Sequence, residues 1–169
     1  MLPDHDNCLI YFPTILHYGF GKGNSLNTEY TQCKKLKQAL VTKTAKKVKD
    51  RLVAAEVDDD EKVDLVLVTH GSPDSTKVGG GSWLYTPVHE AQAVAKKLVS
   101  DIGAENLEKT NIWLWICQAG MSGSGAAFRR EIPTSTVKKV YAPGKDIEGV
   151  GLFLQHLNVP GSDSFTLMR

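Results

Sequence analysis

Two apolar runs of strand length stand out in the pattern of hydrophobic and polar positions along the chain. One covers residues 63–68 and is followed, after one threonine, by His70 and Gly71, and the other covers residues 112–116 and leads directly into Cys117. Each pattern is typical of a buried strand that ends at a reactive side chain in a glycine-containing turn. A helical pattern separates the two runs, which predicts one βαβ unit with parallel strands. His70 and Cys117 are then expected at the same edge of the sheet, where open α/β folds place their chemistry.

The rest of the chain alternates between strand and helix patterns. Between residues 30 and 52 apolar side chains recur at helical spacing, which predicts one long amphipathic helix. The other expected elements are the strands Cys8–Phe12 and Val137–Tyr141, the helices Val88–Ile102 and Val150–Leu157, and the loops Gly71–Pro87 and Ala119–Ala126, with the long helix covering Asn27–Ala55. The alternation predicts a three-layer α/β fold, with helices on both faces of a mostly parallel sheet.

Length and charge narrow the classes of function. The 169 residues suffice for one well-buried domain and show no internal repeat or linker, so we expect a single domain over residues 1–169. The chain carries 20 Lys and Arg against 19 Asp and Glu, a formal net charge of +1. This balance gives no electrostatic reason to expect nucleic acid or an anionic membrane as a partner.

The expected localisation of the protein and its expected lack of a cofactor both rest on signals that are absent from the sequence. The start of the chain has no basic segment followed by an apolar one, and no run reaches membrane-spanning length. We therefore expect a cytoplasmic protein, or one exported by a route without a classical signal peptide. Cys8, Cys33 and Cys117 are too few and too scattered for a disulfide framework or a zinc site, and Gly79–Gly81 is not followed by the Gly-Lys-Ser/Thr of a phosphate-binding loop. No cofactor and no metal are expected.

The two strand ends carry the candidate chemistry. A thiol at Cys117 beside an imidazole at His70 is the arrangement of a nucleophile and its acid/base partner. The glycine-rich turn after Cys117 and the backbone N–H of Gly71 are suited to stabilising the oxyanion of a substrate carbonyl. The same residues also fit a plainer interpretation, in which Cys117 is a small buried hydrophobe and His70 a structural histidine at the sheet edge.

These blocks resemble the caspase-like (clan CD) cysteine peptidases, which include caspases, legumains, gingipains, clostripains and the self-cleaving domains of bacterial toxins. The resemblance lies in a hydrophobic block ending in His70-Gly71 and a second block ending in Cys117, 117 − 70 = 47 residues later, close to the roughly 50 residues seen in caspases. It implies a peptidase that hydrolyses peptide bonds through a Cys117/His70 dyad and an acyl-enzyme. Gly71 is then the backbone donor to the oxyanion, and no cofactor is implied.

The loops beside the dyad supply the expected contacts to a peptide or protein substrate. We expect Ser72, Asp74 and Gln118 to bind it, with Asp74 facing a basic side chain of the substrate. Asp74 also fits ordinary turn chemistry.

One departure from the family leaves two other functions open. The family usually has alanine or glycine before the nucleophile, whereas this chain has Ile116. The first alternative is therefore a catalytically inactive caspase-like interaction module. The second is a non-protease α/β enzyme such as a chelatase-like protein, because Val68–Ser72 resembles a histidine loop that binds metal and tetrapyrrole.

Overall fold

The computed structural model describes residues 8–13, 30–35, 39–57, 62–71, 76–79, 88–116, 123–132, 139–143 and 165–167. The strands are β1 (Cys8–Tyr11), β2 (Leu40–Thr42), β3 (Val63–Val68), β4 (His70–Gly71), β5 (Lys77–Gly79), β6 (Val88–Glu90), β7 (Thr110–Trp115), β8 (Val140–Pro143) and β9 (Phe165–Leu167). The helices are α1 (Ala45–Ala54), α2 (Ala91–Ile102), α3 (Ala104–Leu107) and α4 (Gly123–Glu131).

The main sheet has six strands in the order β2-β1-β3-β7-β8-β9. The first five run parallel to one another, and β9 runs antiparallel to β8 at the edge. From β1 the chain first moves to β2 on one side and then crosses to β3 on the other, so the strand order reverses beside β1. Such a reversal opens a crevice at the carboxyl ends of the strands. A separate small antiparallel sheet contains β4, β5 and β6.

Alternation along the strands divides the core into two clusters. On β3, Leu65 and Leu67 belong to the cluster that packs against α1, α2, α3 and α4, whereas Val66 and Val68 belong to a second cluster on the opposite face. Cys33, which lies in the helical residues 30–33, is fully buried in that second cluster. Each buried Leu or Val contributes about 1.5–3 kcal/mol relative to an exposed one. The predicted three-layer α/β fold with a mostly parallel sheet is confirmed.

The prediction of one long helix over Asn27–Ala55 is wrong. Residues 40–42 form β2, which pairs in parallel with β1, and α1 begins only at Ala45. Residues 39–42 fit a helical spacing and a strand equally well, and pairing to β1 decides for the strand. Just before α1, the Thr44 backbone N–H donates to Thr42 Oγ1 at 3.0 Å, so a local side-chain bond forms the corner.

The two expected loops contain more regular structure than their composition indicates. The loop predicted over Gly71–Pro87 includes the paired strand β5, and the loop predicted over Ala119–Ala126 is helical from Gly123 onward. Small side chains of α4, including Ser124 and Ala127, are buried, so this helix packs closely without the apolar periodicity that predicts one. The predicted helix Val150–Leu157 lies outside the described residues.

Candidate active site

The two strands that carry the candidate chemistry lie side by side. β3 and β7 are parallel neighbours with Val68 opposite Trp115, and the Thr69 backbone N–H continues the ladder by donating to the Trp115 carbonyl at 3.3 Å. Both strands therefore end at one edge of the sheet, as the sequence predicts. Trp115 is 8% exposed, so this edge is well packed up to the last paired residue.

His70 lies where the main sheet and the small antiparallel sheet meet. It follows β3 after Thr69 and begins β4, where it lies opposite Gly79 while Gly71 lies opposite Val78. The His70 side chain is half-buried, and its desolvation lowers the pKa of the imidazole from its usual value of 6.5. The ring is then largely neutral at pH 7 and is able to accept a proton.

The structure brings together only part of the predicted site. His70 and Gly71 are adjacent at the start of β4, whereas Cys117, Ser72, Asp74 and Gln118 lie outside the described residues. The described chain of β7 continues to Ile116, which is fully buried in the cluster that packs against the helices. The large residue before Cys117 is thus accommodated by the core.

A second contact joins the two regions that follow these strand ends, and the sequence did not predict it. A Cβ atom placed on Gly123, the first residue of α4, would lie 2.6 Å from Cγ2 of the exposed Thr76, so one of the two would have to shift. Thr76 is bonded to the junction of β6 and α2: its carbonyl accepts from the Ala91 N–H at 2.9 Å, and its Oγ1 donates to Glu90 Oε2 at 3.0 Å. A glycine in a Gly/Ser-rich segment was the only signal for this close approach.

The two cysteines that the structure describes are poor nucleophiles. Cys8 and Cys33 are fully buried. Burial, with a smaller effect of the nearby Asp64 carboxylate and of Cys33, raises the pKa of Cys8 to about 12. A thiol of this kind carries almost no thiolate at neutral pH.

In the part of the chain that the structure describes, no group of three or more His, Cys, Asp and Glu side chains could hold a metal ion. No described helix combines the length and the apolar character needed to cross a membrane.

Comparison with known proteins adds no relative to this picture. The chain matches no protein-family model and no curated protein sequence. The class is therefore defined by the fold alone, as a three-layer α/β protein with a histidine at the carboxyl edge of its sheet.

Proposed function

We propose that this protein is a cysteine peptidase in which Cys117 is the nucleophile and His70 its acid/base partner. The observation that carries the proposal is the register of β3 and β7, in which Val68 lies opposite Trp115. His70 comes two residues after Val68, and Cys117 comes two residues after Trp115. Because β3 and β7 are parallel neighbours, these equal steps favour His70 and Cys117 at the same edge of the main sheet.

The reaction begins with attack on the scissile carbonyl. Neutral His70 takes the proton of the Cys117 thiol, and the sulfur forms a bond to the carbonyl carbon. The oxyanion that results accepts a hydrogen bond from the Gly71 backbone N–H. The C–N bond then breaks, and the protonated His70 transfers that proton to the departing amine, leaving a thioester. Water hydrolyses the thioester and regenerates the thiol. A histidine with a lowered pKa suits both steps, because it is neutral at rest and a stronger acid once protonated.

The substrate is a peptide or protein bound across the carboxyl edge of the sheet. In this proposal Ser72 and Asp74 after β4 and Gln118 after the nucleophile contact the substrate, with Asp74 facing a basic side chain.

One observation favours a second candidate, an inactive interaction module of the same fold. Ile116 is fully buried at the end of β7, where a small residue is usual before the nucleophile in the caspase-like family. Replacing it by a small residue leaves a cavity and costs stability, of the order of 2–5 kcal/mol for Ile→Ala. Ile116 is therefore set by core packing, and reactivity at Cys117 must decide between the two functions.

Active-site labelling tests the proposal. The protein is incubated with a panel of peptidyl acyloxymethyl ketones that carry arginine, aspartate or leucine next to the reactive group, and the modified cysteine is mapped by mass spectrometry. A peptidase is labelled at Cys117 by at least one probe, and His70→Ala slows that labelling by about 10² to 10⁴-fold, as expected for loss of a proton-transfer group. Cys117→Ala is the control for labelling elsewhere. If the labelling rate is the same for every peptide of the panel and is unchanged in His70→Ala, the peptidase is refuted and the inactive interaction module is favoured.

A further inference from the structure

We propose that Arg129 of α4 is the binding group of a carboxylate site, which takes a small carboxylic acid or the free carboxylate of a peptide. The observation that carries the proposal is that the Nε and Nη1 atoms of Arg129 are buried and, within the described residues, have no hydrogen-bond partner. Buried donors are almost always paired in folded proteins, so an exception requires a specific explanation, such as a bound ion. The site lies on α4 and does not depend on the proposed function.

The burial pattern of α4 places Arg129 at the border of the buried face. Phe128 and Ile132, in and just after this helix, are fully buried in the core, whereas Ala126 and Arg130 are exposed. Arg129 itself is half-buried. Part of its side chain therefore stays in contact with solvent while two of its nitrogens face the protein. This is the arrangement of a recessed group that a small ligand can reach from outside.

A glycine one helical turn before Arg129 provides room for the guanidinium group. Gly125 is buried, and residues four apart lie on the same side of a helix. Long side chains in a helix point back towards its N-terminus, so the Arg129 side chain is directed along the turn that contains Gly125. Glycine has no side chain that would compete for this space. Two guanidinium nitrogens can therefore reach the interior from a residue at the border of the buried face.

The one acidic side chain of α4, Glu131, is engaged elsewhere. Its Oε1 accepts a hydrogen bond from Gln92 Nε2 of α2 at 2.8 Å and lies 3.8 Å from Arg130 Nε. Positions two apart in a helix differ by about 200° around its axis. Glu131 is therefore on the side of α4 that faces α2, and Arg129 is on the other side. The helix itself supplies no carboxylate to the two buried nitrogens of Arg129.

The charge of the site determines the chemistry of its ligand. A guanidinium group stays protonated in proteins and donates hydrogen bonds in a plane that matches a carboxylate. Arg129 supplies one positive charge, and Arg130, the other cation of α4, is exposed and lies beside Glu131. A carboxylate neutralises the Arg129 charge one for one. A phosphate dianion would leave one negative charge partly removed from water, which is unfavourable.

A carboxylate bound at Arg129 stabilises the folded protein. In the unfolded chain the arginine is surrounded by water, where pairing with a carboxylate is weak. A ligand that binds the folded state alone raises the ratio of folded to unfolded protein in proportion to 1 + [L]/Kd. Arg129→Met removes the donors that hold the ligand, so this variant gains no stability from the acid.

The test is urea denaturation of the full chain at pH 7 in sodium propionate and in sodium chloride, each at about 0.1 M. We expect propionate to raise the ratio of folded to unfolded wild type by about tenfold over chloride, as for a Kd of about 10 mM. Arg129→Met is expected to change by less than about twofold, and Arg130→Met, the matched control, to respond as the wild type. Propionamide, the uncharged amide of the same shape, is expected to have no effect. N-acetylglycine replaces propionate to represent a peptide carboxylate, and the acid that acts at the lower concentration identifies the source of the ligand.

Nuclear magnetic resonance locates the binding. In isotope-labelled protein the Nε–H signal of Arg129, assigned by its loss in Arg129→Met, is expected to shift as propionate is added. An unshifted signal would overturn the site, as would an equal response to propionamide, or a wild type that gains no more from either acid than Arg129→Met. A response lost equally in Arg130→Met would show a general effect of charge and also overturn it. So would an Arg129→Met protein that is less stable than the wild type in chloride or does not fold, because the guanidinium group would then already have a partner within the protein.

Discussion

The Trp113 indole Nε1–H donates a hydrogen bond to Asp64 Oδ1 at 3.0 Å, diagonally across the β3–β7 pair. Trp113 also stacks on Tyr141 of β8, with ring centroids 4.1 Å apart and planes inclined by 16°. Burial raises the pKa of the Asp64 carboxyl from 3.8, and the indole bond opposes this effect by a smaller amount. A carboxylate at this position is therefore less favourable in the folded protein than in water.

Asp64→Asn is expected to raise the free energy of unfolding at pH 7. The amide keeps an oxygen for the Trp113 N–H and carries no charge to desolvate. Because the folded pKa of Asp64 is raised, the wild-type stability falls as the pH rises through and above 3.8, and the variant lacks that loss. Urea denaturation at several pH values measures this, and the advantage of the variant must shrink as the pH approaches 3.8. An advantage independent of pH would show that the charge is not its cause.

Cys8 is expected to resist alkylation in the folded protein at pH 8. With a pKa of about 12, only about one molecule in 10⁴ carries the thiolate at that pH, and the side chain is fully buried. Iodoacetamide labelling with peptide mapping checks this, with the urea-unfolded protein as the control in which Cys8 must react. Rapid modification of Cys8 without denaturant would contradict the burial of β1.

The fold was predictable where the pattern and the packing agree. β3 and β7 are buried on both faces, so each is an apolar run that admits one interpretation, and the buried face of α2 repeats with helical spacing. β2 was missed because Leu40 and Val41 also continue a helical spacing, and only pairing with β1 distinguishes the two. The start of α4 was missed because its buried positions are small rather than apolar.

The site was predictable only in part, for a related reason. The position of His70 at a sheet edge follows from its place after a buried run, which is a local property of the sequence. The contact between Thr76 and Gly123 joins residues far apart in the chain, and the close approach is visible only once α2 and α4 are packed. In a segment rich in Gly and Ser, the sequence does not indicate which glycine lies against another part of the fold.

Lys109→Met is expected to lower the free energy of unfolding by about 1.5–3 kcal/mol, the contribution of hydrogen bonds to a charged group. Lys109 Nζ donates to the carbonyls of Leu52 and Ala55 at 2.7 and 3.0 Å, at the C-terminal end of α1. The Leu52 carbonyl also accepts from the Ala55 N–H at 3.1 Å, so Lys109 adds a second bond there. The positive charge also complements the helix dipole. Thermal or urea denaturation measures the loss. Lys96→Met at an exposed position of α2 is the matched control, and an equal loss there would refute the capping role.

Arg129→Met is expected to leave the free energy of unfolding unchanged or to raise it by about 1–3 kcal/mol. The Nε and Nη1 atoms of Arg129 are buried, and within the described residues they have no hydrogen-bond partner. Methionine fills similar space with no donor left unsatisfied. Arg130→Met is the control on the same turn, because Arg130 is exposed and its Nε lies 3.8 Å from Glu131 Oε1. A clear loss of stability in Arg129→Met alone would contradict this expectation.

Stability is expected to fall with acid pH because of His70, and His70→Ala is expected to remove that part of the fall. Burial lowers the pKa of His70 below 6.5, so in the window just below pH 6.5 the unfolded chain binds a proton that the folded protein does not. The unfolded state then binds more protons, and stability decreases as the pH drops through that window. Urea denaturation between pH 8 and pH 5 measures the slope for both proteins, and the remaining histidines contribute equally to each. Parallel slopes would show that folding does not lower the pKa of His70. Desolvation would then not explain why His70 is neutral at pH 7 in the proposed reaction.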